Sequence, residues 1–180
     1  MSAPPSSPRA RVHASLVAGW LALVAIGMSL LFHESFEPGE VATAPPTWPS
    51  DSALELAADR HTLVVVVHPQ CSCTRATLTE LEWVTDRLGD RLATFVLFGT
   101  SDDVDWRASP LLDRALAIRG VTVVADEDAR EAQRFGAQTS GQVYLFAPDG
   151  TLAFEGGITP SRAHAGDNVG RQRIVALVEG

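Results

Sequence analysis

Residues 63–75 read Leu63-Val64-Val65-Val66-Val67-His68-Pro69-Gln70-Cys71-Ser72-Cys73-Thr74-Arg75, and this stretch decides the fold. A continuous apolar run, mostly β-branched and without alternation, describes a strand buried on both faces, the kind found inside a parallel sheet. From Thr74 to about Arg87 the pattern changes: Leu78, Leu81, Val84 and Leu88 recur at helical spacing. A strand that opens into a helix delivers the side chains between them to the helix N-terminus. There the dipole and the unpaired N–H groups stabilise anions, thiolates included. Cys71 and Cys73 are the only two cysteines in the chain. Sulfurs this close serve as a redox pair or as soft metal ligands, whereas scattered structural cysteines have no reason to be adjacent.

Outward from this stretch, helix and strand alternate. Ser50-Asp51-Ser52 can cap a short helix running to Asp59, ahead of the first strand. Leu92–Phe98 reads as a second strand, and Pro110–Ile118 as a helix with Gly120 in the place of a C-cap. Val121–Ala125 is a third strand and Asp128–Phe135 a short helix. Val143–Phe146 and Leu152–Phe154 flank Pro148-Asp149-Gly150, a hairpin signal. Asn168–Val178 closes the chain as a helix. Parallel strands joined by crossover helices, then a hairpin and a last helix, describe an α/β sandwich.

The bulk composition narrows the chemistry. The 180 residues carry 22 acids against 14 bases, a formal charge of -8, and every base is an arginine. Without lysine there can be no lysine Schiff base, no lysine general base and no Walker-type phosphate loop. An acidic chain with scattered arginines also argues against nucleic acid as a partner.

Ala14 to Phe32 is a run of 19 residues without a charge, which just reaches the length needed to cross a bilayer. Arg9 and Arg11 precede it, and Glu34, Glu37 and Glu40 follow. The positive-inside rule puts residues 1–13 in the cytoplasm as a short disordered tail, with 14–32 as a transmembrane anchor. Residues 33–50 then form a Pro-rich tether, and 51–180 form one extracytoplasmic domain. A cleaved signal peptide is the alternative, but Pro45 is a poor residue after a cleavage site at Ala42-Thr43-Ala44. Either way the domain faces a compartment that permits disulfides.

The cysteine pair after the first long strand, the late hairpin and the final helix together resemble the thioredoxin-like superfamily over residues 51–180. The anchor and tether resemble those of membrane-tethered thioredoxin-like proteins of bacterial envelopes. More narrowly, His68-Pro69-x-Cys71-x-Cys73-x-Arg75-Ala76, with Gly156-Gly157-Ile158-Thr159-x-Ser161-Arg162, is similar to a RedB-like bacterial group. The resemblance implies a central mixed sheet with flanking helices behind one inner-membrane helix, and a thiol–disulfide oxidoreductase acting on envelope proteins. Cys71 would be exposed at the helix N-terminus with a lowered pKa and attack a disulfide; Cys73 would resolve the mixed disulfide. No cofactor is implied.

Two departures from the family pattern bear on the chemistry. The family spacing is Cys-x-x-Cys and this chain has Cys-x-Cys, a smaller and more strained ring that points to an oxidant or isomerase. A pair that cannot close could hold Cu(I) instead, with His68 as third ligand. The second departure is in the loop opposite, where the family carries a cis-proline. Here the segment is Gln138-Thr139-Ser140-Gly141-Gln142, with Ser140 or Gly141 at the matching place. Losing the proline removes a usual docking backbone and a usual obstacle to metal binding, although peroxiredoxin-like members lack it too. Arg75 sits where its charge would lower both thiol pKa values, or it is a solvated arginine. The loop 156–168 brings Arg162, His164 and Asp167 as candidates for the same face, or is a surface loop in which Asp167 caps the last helix. His61 and Trp83 read as structural, and Trp106 as part of an irregular acidic loop, Ser101–Ser109.

Overall fold

The computed structural model describes residues 8–36, 43–100 and 106–180. It divides into two compact units, Met1–Glu37 and Pro38–Gly180. In the first, helix α1 spans Pro8–Phe36, so residues 8–13 are helical and not the disordered tail that the sequence suggests. Its segment Arg11–His33 is long and apolar enough to cross a membrane.

The second unit is built on one five-stranded sheet in the order β3-β2-β1-β4-β5. The strands are β1 (His61–Val67), β2 (Leu92–Thr100), β3 (Val121–Glu127), β4 (Val143–Phe146) and β5 (Leu152–Gly156). β1, β2 and β3 run parallel, and β4 and β5 run antiparallel, with Val65 opposite Val143 and Val143 opposite Gly156. The unbroken apolar run of β1 now has its reason. Leu63, Val65 and Val67 enter one core with Leu78, Leu81, Phe98, Ile158 and Ile174, while Val64 points to the other face among Leu97, Phe135, Tyr144 and Phe146. Both faces of the strand are sealed, so alternation with polar residues would have no place.

Helices α2 (Ser72–Leu88), α3 (Pro110–Ala117) and α5 (Val169–Glu179) supply the first core. The short α4 (Arg130–Arg134) and the chain from Ala44 to Leu56 cover the second. That covering chain corrects the expected tether. Trp48 sets its ring edge-on to Phe135 and Phe146, each at 5.1 Å, and the Trp48 N–H donates to the Gly150 carbonyl. Residues 44–50 therefore belong to the folded domain.

Other boundaries shift for identifiable causes. The helix expected over Ser50–Asp59 is a series of turns, because the Ser52 hydroxyl and the Ala53 N–H are both taken by the Glu131 carboxylate. Helix α4 is shorter than expected, since Asp126 reaches from β3 to accept from the Glu131 and Ala132 N–H groups at 2.8 and 2.9 Å. Helix α3 ends at Ala117 with Ile118 as its C-cap; Gly120, at φ +75°, instead turns the chain into β3. Asn168, not Asp167, caps α5, accepting from the Arg171 N–H at 2.7 Å. His61 opens β1, and Trp83, 44% exposed, lies under the Arg171 guanidinium at 4.0 Å. Of the acidic loop, Ser101–Asp105 lie outside the described residues, and Trp106 begins a single 3-10 turn leaning on Phe98.

Tyr144 is the only tyrosine and is fully buried, its hydroxyl without a hydrogen-bond partner among the described residues. Burial, aided by the charge of Glu155, pushes its ionisation well above the ordinary 10.0. The unfolded chain ionises first, so this contribution is complete below pH 10 and declines as the pH rises above it. We expect Tyr144→Phe to be neutral or stabilising by up to about 1 kcal/mol, since no bond is lost. In wild type, phenolate absorbance should appear only together with alkaline unfolding, which a pH titration followed by absorbance and circular dichroism would check.

Candidate functional site

The C-terminal end of β1 carries the site. Cys71 is the N-cap of α2, extended at φ −79° and ψ 126°, so the helix N-terminus opens at the first sulfur. Cys71 and Cys73 are joined as a disulfide with Cα atoms 5.3 Å apart, and no cysteine is free. Both are half-buried. The turn before them is held by the Cys71 N–H donating to the His68 carbonyl at 3.1 Å. The Gln70 N–H donates to His68 Nδ1 at 3.3 Å, which makes that nitrogen the acceptor and leaves Nε2 to carry the proton. The His68 ring is exposed and passes Gly99 on β2, where a Cβ would meet its Cδ2 in ordinary contact at 3.5 Å.

The loop 138–142 faces the pair from β4. Its Ser140 carbonyl lies 3.6 Å from Cys73 Sγ. The Gly141 N–H donates to the Val66 carbonyl at 2.7 Å, and the Val66 N–H to the Gln142 carbonyl at 2.9 Å, so the loop is fastened to the end of β1. Gly141 sits at φ +97°, a conformation that disfavours any side chain.

Sequence reasoning missed three contributors. Thr74 is fully buried; its hydroxyl donates to the His68 carbonyl at 2.8 Å and lies 3.2 Å from the Ser140 hydroxyl. Three residues on from Cys71, it occupies the place of the second sulfur in a Cys-x-x-Cys spacing. The Gln142 side chain accepts from the Gln138 and Thr139 N–H groups at 2.7 and 2.9 Å and so shapes the facing loop. Glu80 lies seven residues after Cys73 on the same face of α2, about 10 Å down the helix. It accepts from the Gly166 N–H and from Arg171, both at 2.6 Å, and from Asn168 at 3.4 Å.

Those bonds fix where the remaining candidates stand. Since β5 runs antiparallel to β4, and β4 to β1, the loop after Gly156 leaves the sheet at the same end as the cysteines. Glu80 then ties that loop to α2. Arg162 and His164 are exposed, and His164 Nδ1 contacts the Arg162 carbonyl at 2.7 Å within their own turn. Asp167 is spent on Arg171. Arg75 is exposed on the first turns of α2. The structure thus brings Cys71, Cys73, His68, Ser140 and Gly141 together, and puts Arg75, Arg162 and His164 at the same end of the sheet, with no hydrogen bond to the sulfurs among the described residues.

A parallel β-α-β core with a following hairpin and helix, and a cysteine pair at the first crossover helix, is a thioredoxin-like fold. Solved structures agree. The chain is similar to an uncharacterized conserved protein from Geobacillus kaustophilus, with a TM-score of 0.57 at 14% identity over 78% of this chain and 80% of that one. A hypothetical protein from Sinorhizobium meliloti gives a TM-score of 0.53 at 17% identity, over 81% and 84%. A thioredoxin candidate from Neisseria meningitidis gives 0.50 at 16% identity, over 77% and 88%. No family model and no curated protein sequence matches the chain.

Proposed function

We propose that this protein is a thiol–disulfide oxidoreductase, held by α1 in a bacterial inner membrane, whose domain acts on envelope proteins from the extracytoplasmic side. The observation that carries the reading is the disulfide between Cys71 and Cys73 at the N-terminus of α2, opposite the loop of Ser140. The thioredoxin-like fold and the apolar N-terminal helix support it, and the likeness of the His68-Pro69 motif to a RedB-like group belongs to the same reading.

In the oxidising direction a substrate thiolate attacks Cys71 Sγ. The Cys71–Cys73 bond breaks, a mixed disulfide forms on Cys71, and Cys73 leaves as a thiolate that takes up a proton. A second substrate thiol loses its proton and attacks the substrate sulfur of the mixed disulfide. Cys71 departs as a thiolate stabilised by the helix N-terminus. Two electrons pass from the substrate dithiol to the protein disulfide, and the reductive direction is the reverse. In this reading His68, in the turn before Cys71, and Arg75, exposed on the first turns of α2, supply the polar and positive groups at this end of the sheet, and Arg162 and His164 supply the rim that meets a substrate chain.

Copper retention by the reduced pair, with His68 as third ligand, is the competing reading. It needs both sulfurs as thiolates. The pair stands as a disulfide, and since His68 accepts from the Gln70 N–H at Nδ1, its Nε2 would be the ligand atom. The test of the proposal is catalysis. Full-length protein in detergent micelles should accelerate disulfide formation in a reduced dithiol peptide, or reduction of its disulfide, well above the buffer rate. No acceleration in either direction would remove the proposal.

A further inference from the structure

The three segments that make the site are closed by hydroxyls rather than by a proline. The His68 N–H donates to Ser140 Oγ at 3.1 Å, with Thr74 Oγ1 close by at 3.3 Å. The Thr74 hydroxyl gives its one proton to the His68 carbonyl at 2.8 Å. The 3.2 Å contact between the two hydroxyls is therefore a bond in which Ser140 donates and Thr74 accepts. The bonds run in a ring, from His68 N–H to Ser140, to Thr74 and back to the His68 carbonyl. Each of the three links joins a different pair among the end of β1, the first turn of α2 and the loop before β4.

The ring has a chemical consequence at the neighbouring sulfur. It holds the Ser140 carbonyl 3.6 Å from Cys73 Sγ. In the disulfide that sulfur has no proton, so the contact sets two electron-rich atoms side by side. In the dithiol, Cys73 carries an S–H that can donate to the same oxygen. The carbonyl thus discriminates between the two redox states and favours the reduced one.

We propose that Ser140 and Thr74 are positioning residues for the redox reaction: their hydroxyl ring holds the Ser140 carbonyl against Cys73, which stabilises the dithiol and makes the Cys71–Cys73 disulfide a better oxidant. This rests on the oxidoreductase reading and adds to it a direction and two residues. In redox terms, the disulfide accepts two electrons and two protons. One proton ends on Cys73 facing Ser140; the other belongs to Cys71, where the helix N-terminus favours its loss.

The test is the equilibrium of the full-length chain in detergent micelles with glutathione buffers, read by alkylation and mass spectrometry. Ser140→Ala and Thr74→Val should each shift the equilibrium about two- to five-fold toward the disulfide, the size of one net hydrogen bond. Ser140→Thr, which keeps the hydroxyl, should leave it at the wild-type position. The double variant should shift it by less than the product of the singles, because both cut one ring. A purely structural role would lower melting temperature without moving this equilibrium. Unchanged equilibria in folded Ser140→Ala and Thr74→Val would overturn the proposal. Should neither variant fold, the wild-type dithiol decides: Cys73 must alkylate with a midpoint at higher pH than Cys71, and the same or a lower midpoint overturns it. A wild-type pair that never equilibrates with glutathione defeats the oxidoreductase reading itself, an outcome separate from failure of the variants.

Discussion

Cys73→Ser, challenged with a disulfide-bonded peptide, should stop halfway and accumulate a mixed disulfide through Cys71. Cys71→Ser should accumulate none and exchange no faster than buffer. The asymmetry follows from position. Cys71 caps α2 with no backbone oxygen against its sulfur among the described hydrogen bonds, whereas Cys73 Sγ is set against the Ser140 carbonyl. A thiolate is favoured at the helix terminus and disfavoured beside a carbonyl oxygen. Without Cys73 nothing nearby can resolve the adduct, since Thr74 fills the position three residues on from Cys71 with a hydroxyl. Intact-mass spectrometry under non-reducing conditions reads both variants. Equal adduct yields on either cysteine would contradict the assignment.

The largest expected effect on stability lies at Glu80. Its side chain is 3% exposed and that of its partner Arg171 10%. The arginine also stacks over the Trp83 ring at 4.0 Å. Glu80→Leu leaves a buried guanidinium whose other carboxylate, Asp167, is exposed, and strips the Gly166 N–H and Asn168 of an acceptor. Removing one partner of a buried pair costs about 3–5 kcal/mol, while replacing both is far milder. Denaturant unfolding should therefore show Glu80→Leu severely destabilised, and Glu80→Leu/Arg171→Met substantially recovered. A loss below about 1 kcal/mol for the single variant would place the pair among surface bridges. Since Glu80 also anchors the loop 157–167, the variant should free that loop before the sheet unfolds, as hydrogen exchange would report.

The sequence carried the fold because its signals were local. An unbroken apolar run means a strand covered on both faces, and Leu63–Val67 is covered on both. The hairpin around Pro148-Asp149-Gly150 and the amphipathic α2 are signals of the same kind. What it hid depended on distant partners. Ser52 reads as a helix cap until Glu131, far along the chain, accepts a hydrogen bond from its hydroxyl. The Pro-rich segment reads as tether because nothing local shows that Trp48 has Phe135 and Phe146 to pack against.

The site divides along the same line. Cys71, Cys73 and His68 were legible as a motif, and Ser140 as the residue in the facing loop. Thr74 was not, since a threonine in a first helical turn looks ordinary until the loop before β4 is set beside it. Glu80 carries no local signal that separates it from the other acids of α2. Only α5, arriving with Arg171, makes it buried.

The redox state of the cysteine pair in the full-length chain decides whether the site can exchange disulfides at all. Protein equilibrated in oxidising and in reducing glutathione buffers is quenched with an alkylating reagent and weighed. A redox pair requires no alkylation of Cys71 or Cys73 in the first, two alkyl groups in the second, and one two-electron transition between them. Both cysteines reacting as free thiols in every buffer would contradict it.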